Sequence, residues 1–324
     1  MNIGLAGRFQ VKVYRADGTL KMDTGEQNNL ILNKGLDFLG SGGGTMMKAC
    51  AIGSGSAAPL VTDTELGAVL SVRQSEGWYE NNSEYVNDGS GTYTVSQRRT
   101  YRFVAEESMN VSELGLSSVW GVASTNPTVY AYNLCTRALI KNPEGTPITI
   151  PLVADEVLVV YYTLYQVYST EDTVSSINIV QNSGPAIPTT AVTRLARAGL
   201  SGYEDCVGAA LMDGQSRAFF DKDNLVFTTP LVAVDAAISG AFESAKYMVW
   251  TTSMSEYSSG DYYRIFNVEF DLTGANNEAG VKRVVVHTSM GVWQVQYTPS
   301  ILKTLDHRLI LPIKFSWNRL AELP

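Results

Sequence analysis

The chain has 324 residues, 45% hydrophobic and 17% charged, with 24 Lys and Arg against 32 Asp and Glu for a formal charge of −8. Those proportions exclude a disordered chain, and the length allows a large core in two domains or in one with an insertion. The acid excess is scattered and no basic run occurs, which argues against a broad nucleic-acid or anionic-membrane surface, since both reward clustered Lys and Arg.

In chain order, Phe9, Val11 and Val13 alternate with Gln10, Lys12 and Tyr14, so a strand is expected, and Asp17-Gly18 is a hairpin turn pair. A helix is expected over Asn29–Leu39, capping one end of a sandwich through Leu30, Ile31, Leu36 and Leu39. Tyr93, Val95, Tyr101 and Phe103 flank the polar Gln97-Arg98-Arg99 and outline a long exposed strand. Val129–Leu134 and Val157–Tyr165, rich in β-branched and aromatic residues, are two more. The stretch 169–188, rich in Ser, Thr, Asn and Pro, reads as a linker, and Thr189–Ala198 as a second helix. Further strands are expected at Ala218–Phe220, Leu225–Thr229, Tyr247–Thr252, Tyr262–Leu272, Val281–His287, Val292–Tyr297 and Arg308–Trp317. Pro312 places the last of these at an edge or a bulge.

The expected fold is therefore mostly β and β-sandwich-like, with two β domains and a short helix near the N-terminus. The domains are residues 1–168 and 189–324, joined by 169–188. The first has Phe9, Val11, Val13, Ile52, Leu66, Leu70, Leu114, Leu116, Leu158 and Val160 in its core. Residues 155–164 and 306–317 echo each other weakly, as the closing strands of two related sandwiches would.

Chemistry-bearing motifs are sparse. Cys50, Cys135 and Cys206 are odd in number and widely spaced, which implies no disulfide framework and fits a reducing cytoplasm. No basic stretch precedes an apolar core at the N-terminus, so no signal peptide is read. The apolar run Val157 to Tyr162 is too short to span a bilayer, and no membrane insertion is expected. Gly53-Ser54-Gly55 lacks the βαβ context of a dinucleotide site and reads as a turn. His287 and His307, the only histidines, lack a nucleophile elbow or metal-ligand spacing. Glu106-Glu107 and the Asp221/Asp223 turn do not form a carboxylate pair facing across a cleft. No catalytic residue, cofactor or metal is expected.

Seventeen tyrosines are more suggestive, because tyrosine offers large amphipathic contact area at low entropic cost. Trp78, Tyr79, Tyr85 and Tyr93 form one group and Tyr257, Tyr262 and Tyr263 another. These are the candidate contact residues for a homo-oligomer or a host surface receptor.

One longer pattern spans the first half. It consists of Asn29-Leu30-Ile31-Leu32-Asn33-Lys34-Gly35-Leu36-Asp37, Gly53-Ser54-Gly55, Asp63-Thr64-Glu65-Leu66, Asn110-Val111-Ser112-Glu113-Leu114-Gly115 and Arg137-Ala138-Leu139. In this order the segments resemble a family of bacteriophage virion proteins of the tail, collar and fibre-attachment type. The resemblance covers roughly residues 7 to 168. It implies a non-enzymatic structural role with scaffold residues and no active site. It also implies virion attachment through the first domain, assembly in the bacterial cytoplasm, and other virion proteins as partners. A receptor- or glycan-binding fibre protein is the alternative, and a virion-associated hydrolase the third reading.

Overall fold

Alternation in the first fourteen residues builds the strand on which the rest is arranged. The computed structural model describes residues 1–41, 45–75, 82–87, 89, 91–119, 121–123, 126–180, 185–198, 217–220, 231, 247–250, 253–272, 277–288 and 291–323. The chain opens with the hairpin β1 (Asn2–Tyr14) and β2 (Leu20–Ile31), then helix α1 (Asn33–Ser41), β3 (Ala49–Gly53) and β4 (Val69–Gln74). Next come β5 (Asn82–Asn87), β6 (Thr92–Val104), β7 (Met109–Val111), β8 (Glu113–Ser117), β9 (Gly121–Ala123) and β10 (Asn126–Ala131). β11 (Thr136–Leu139), β12 (Ile150–Leu152), β13 (Val157–Ser169), β14 (Thr173–Ile179) and β15 (Ile187–Ala198) follow. The described strands end with β16 (Arg217–Phe220), β17 (Tyr247–Trp250), β18 (Ser253–Met254), β19 (Tyr263–Phe270), β20 (Asn277–Thr288), β21 (Gly291–Lys303) and β22 (Leu309–Arg319).

The fold is mostly β and β-sandwich-like, and its one described α-helix lies near the N-terminus. On β1, Phe9, Val11 and Val13 are buried while Gln10, Lys12 and Tyr14 are half-buried, the period-two signature of a strand with one face on a core. One edge of β1 pairs along its length with β13. The other pairs with β22 in parallel over Asn2–Leu5 and with β2 beyond Gly7. From there a 12-stranded sheet extends through β11, β8, β3 and β4 on one side and through β19 and β18 on the other. The sheet turns back on itself: Tyr101 Oη and Arg99 Nη1 on β6 both donate to Met47 O, just before β3.

A 6-stranded sheet, β14-β15-β21-β20-β16-β17, supplies the second layer. The two sheets meet at Trp293 of β21, whose ring lies 6.1 Å from Tyr168 of β13 and 5.1 Å from Phe315 of β22. Aromatic pairs at this spacing add to the burial of their large apolar surfaces.

Of the ten expected core residues all are buried except Leu70, which is half-buried. Four expectations need correction. Strand β6 is not exposed: Tyr93, Val95, Gln97, Arg99, Tyr101 and Phe103 are all buried, since β13 and β5 pair on its two edges and that face lies on the core. The helix starts at Asn33, because Leu30 and Ile31 are drawn into β2 by pairing with Arg137 and Thr136 of β11. Thr189–Ala198 is strand β15, held between β14 and β21, so sheet pairing overrides its helical pattern. The stretch 169–188 is not a plain linker, since Thr173–Ile179 forms β14. Sheet hydrogen bonding also crosses it: β22 pairs with β1 inside the first sheet. The echoing strands β13 and β22 flank β1 on opposite edges and run in opposite directions. Around Pro312, β22 pairs with β19 alone, and β1 joins only from Ser316. Leu225–Thr229 lies outside the described residues.

Gly35 and Gly115 are set by close approach to backbone carbonyls. A Cβ on Gly35, inside α1, would strike the Cys135 carbonyl, and one on Gly115 would strike the Thr136 carbonyl. Alanine normally favours a helix over glycine by about 1 kcal/mol. Gly35→Ala should nevertheless lower the unfolding free energy by about 1–3 kcal/mol, because overpacking outweighs propensity. Urea unfolding of that variant checks this, and a stabilised protein would contradict the packing described.

Candidate functional site

The segments that carry the resemblance come together around two polar centres, one buried and one half-buried. The first is built on Glu113, which opens β8 with no exposure to solvent. Its Oε2 accepts from Arg137 Nε at 2.9 Å and Nη2 at 2.8 Å. Its Oε1 accepts from the amides of Gly55 at 2.9 Å and Ala68 at 3.3 Å. Arg137, on β11, also donates Nη1 to Asp63 Oδ2 at 2.6 Å and Nη2 to the Ala57 carbonyl at 3.1 Å. Asp63 Oδ2 in turn accepts from the Leu60 amide at 2.8 Å.

These bonds fold residues 54–68 over the sheet between β3 and β4. Ser54 N donates to Ala68 O at 2.9 Å and Ser112 Oγ donates to Gly55 O at 2.8 Å. A Cβ on Gly53 or Gly55 would collide with the Glu113 carboxylate, so the paired glycines make room for the buried acid. Burial opposes ionisation of Asp63, but the Leu60 amide and Arg137 outweigh it and hold the carboxyl below its usual range. The same carboxylates keep the Arg137 guanidinium charged despite its burial.

The second centre is Asp37 on α1. Its Oδ1 accepts from Tyr257 Oη at 2.6 Å and the Gly260 amide at 2.8 Å, and its Oδ2 accepts from Ser259 Oγ at 2.6 Å. Trp317 Nε1 donates to Leu36 O at 2.8 Å, and Arg319 donates to Ile31 O and to Asn33 Oδ1. The two centres are linked directly, because Asn33 N donates to Val61 O at 2.8 Å. The helix thus ties the closed loop to the segment before β19 and to the end of β22.

The candidate contact residues do not form one surface. Tyr85 on β5 is 43% exposed, whereas Tyr93 on β6 is only 4% exposed and packs in the core. Tyr257 is half-buried, stacks on Trp317 at 5.9 Å and uses its hydroxyl on Asp37. Burial, and then the Asp37 hydrogen bond, push that phenol well above its usual pKa. Tyr262 is half-buried with a φ of 51°, and Tyr263 lies under Lys314 Nζ at 3.8 Å. Trp78 and Tyr79 lie outside the described residues, as do Cys206, Asp221 and Asp223.

The geometry suits structure better than acid–base chemistry. Glu113, Asp63 and Asp37 each accept from groups fixed by the fold. The Cys50 and Cys135 thiols are buried, which pushes Cys135 up to about 12 and Cys50 higher still. His307 Nδ1 is 2.8 Å from Thr304 Oγ1 on an exposed turn. Among the described residues no group of three His, Cys, Asp or Glu could hold a metal ion, and no helix is long and apolar enough to cross a membrane.

Removing Arg137 would leave Glu113 buried and uncompensated, so Arg137→Ala should cost about 3–5 kcal/mol of stability, measured by urea unfolding. The pH dependence has a definite sign. Asp63, Glu156 beside Lys21, and Asp172 beside Arg194 all have carboxyls held below their ordinary range in the folded state. Their stabilisation is complete above the ordinary carboxylate range near pH 4 and is lost as pH falls through the lower folded values. The melting temperature should be flat from about pH 8 to 5 and fall below about pH 4, with a shallower acid limb in Asp63→Asn.

No family model matches the chain, and neither does any curated protein or solved structure.

Proposed function

We propose that the chain is a non-enzymatic structural component of a bacteriophage virion, joining or decorating the tail, collar or fibre apparatus through protein–protein contacts. The observation that supports this reading is what the motif residues do. Gly35, Asp37, Gly53, Gly55, Asp63, Glu113 and Arg137 are all engaged in holding the fold together. A resemblance confined to such residues is a resemblance of scaffold, as expected for a particle component rather than an enzyme. On this reading the partners are other virion proteins and further copies of the chain, and the site of action is the virion after cytoplasmic assembly.

Receptor or glycan binding is the second reading, favoured by one surface. On the outer face of β13, Tyr161 lies 4.8 Å from the Arg98 guanidinium and 6.0 Å from Lys12 Nζ. It borders a cleft of about 540 Å³ that is also lined by Tyr14, Arg15 and Arg102. Aromatic faces beside fixed cations suit sugar rings and polar ligands.

Antibody labelling of purified particles by electron microscopy tests the first reading. Discrete label at the neck, tail tip or fibre bases is expected, and absence from intact particles would contradict it. The purified chain should cleave neither polysaccharide nor peptidoglycan. Cleavage lost on a single carboxylate substitution would replace both readings with the hydrolase.

A further inference from the structure

Among the described residues, strand β14 is an edge without any of the usual defences. Among the described residues it pairs with β15 alone, in an uninterrupted register from Thr173↔Thr193 to Ile179↔Ile187 with no bulge. Natural edge strands are blunted by charges, prolines, bulges or a covering element. Here Thr173-Val174-Ser175-Ser176-Ile177-Asn178-Ile179 carries no charge, proline or glycine. Every residue from Thr173 to Thr193 is uncharged, in a chain that is 17% charged. Charge depletion of this kind marks the centre of protein interfaces.

The strand is also open to solvent. Val174 is 65% exposed and Val180, just past its end, 82%. Leu302 and Leu305 are 63% and 65% exposed, and Leu302 lines a shallow pocket with Ile179 and Val180. By period-two geometry Thr173, Ser175, Ile177 and Ile179 share one face. On that face Ile177 and Ile179 are half-buried and pack on the main core, so the core reaches the edge and stops there.

We propose that this edge is the site at which two copies of the chain join, β14 against β14 in antiparallel pairing about a two-fold axis through Ser176. The choice of a second copy rests on charge and on self-complementarity. Two chains of net charge −8 repel, and the uncharged hairpin is where they can meet without opposing like charges. The charge nearest in sequence, Asp172, is already paired with Arg194 at 2.6 Å. The charges beside Ile179 and Val180 in the pocket are the cations Lys303 and Arg308, which do not add to the acid excess. In the two-fold register Ser176 faces its own counterpart, Ile177 faces Ser175 of the partner subunit and Ile179 faces Thr173 of the partner subunit. The apolar strip then continues across the seam. Such an isologous contact closes at two copies and joins the two 6-stranded sheets into one. The proposal deepens only the homo-oligomer part of the reading above. Its test uses pure protein, so its failure would leave the virion location standing.

Sedimentation equilibrium of the full chain at tens of micromolar should give twice 35.2 kDa. Ser176→Lys and Ser176→Glu each place like charges across the axis and should weaken the dimer at least tenfold. Mixing the two variants should restore it. Directly opposed strand positions have Cα atoms about 4.5–5.5 Å apart, within disulfide range. Ser176→Cys should therefore give a covalent dimer on mild oxidation, well above wild type and Val174→Cys. A monomeric wild type, an oligomer indifferent to both charge variants, or Ser176→Cys cross-linking no better than Val174→Cys would overturn the proposal. If a charge variant fails to fold, the cysteine pair alone decides.

Discussion

A carboxylate sealed from water sets the terms for the first half of this fold. Removing an ion from solvent costs several kcal/mol unless an opposite charge and further hydrogen bonds replace the lost hydration. Glu113 obtains that replacement only when Arg137 arrives from β11 and the Gly55 and Ala68 amides arrive from the loop. The loop 54–68 must therefore close. Its glycines are spaced as they are because a Cβ on Gly53 or Gly55 would occupy the carboxylate's place. Asp63 then takes the remaining face of the guanidinium.

The closed loop carries the constraint onward. Val61 O receives the Asn33 amide, and α1 passes the connection to the C-terminal third through Asp37, Leu36 and Asn33. Trp317 is 2% exposed at the end of this chain of contacts, and its strand β22 lies hydrogen-bonded to β1. Covering 257–260 with a helix and β22 with β1 makes the two ends of the sequence parts of one sheet. On the reading proposed above, a body tied together in this way would present its edges and loops at fixed angles to neighbouring subunits.

The strands were largely legible because alternation is a local signal: Phe9, Val11 and Val13, or Leu158 and Val160, show their buried face without any knowledge of their neighbours. Pairing partners are not local, and the misreadings follow from that. Leu30 and Ile31 carry helical spacing, yet β11 takes them as strand. Thr189–Ala198 was open to a helical reading until β14 and β21 held it on both edges. The Ser- and Thr-rich stretch around Thr173 resembles a linker because only Ile177 and Ile179 of Thr173–Ile179 reach the core, and its place in the sheet comes from pairing with β15, which is not local. As for the site, the resemblance contained Glu113, Asp63, Asp37 and Arg137, but nothing in their spacing shows that three of them share one ion cluster. Tyrosine richness misled at Tyr93 and Tyr257, whose rings serve the interior.

Native-state hydrogen exchange at the Gly55 and Ala68 amides tests the central claim most directly. If Glu113 locks the loop, both amides exchange only through global unfolding, with protection equal to the total stability and lost together in Arg137→Ala. Fast exchange at these two amides, through a local opening that spares β3 and β8, would show that the buried carboxylate does not hold the fold closed.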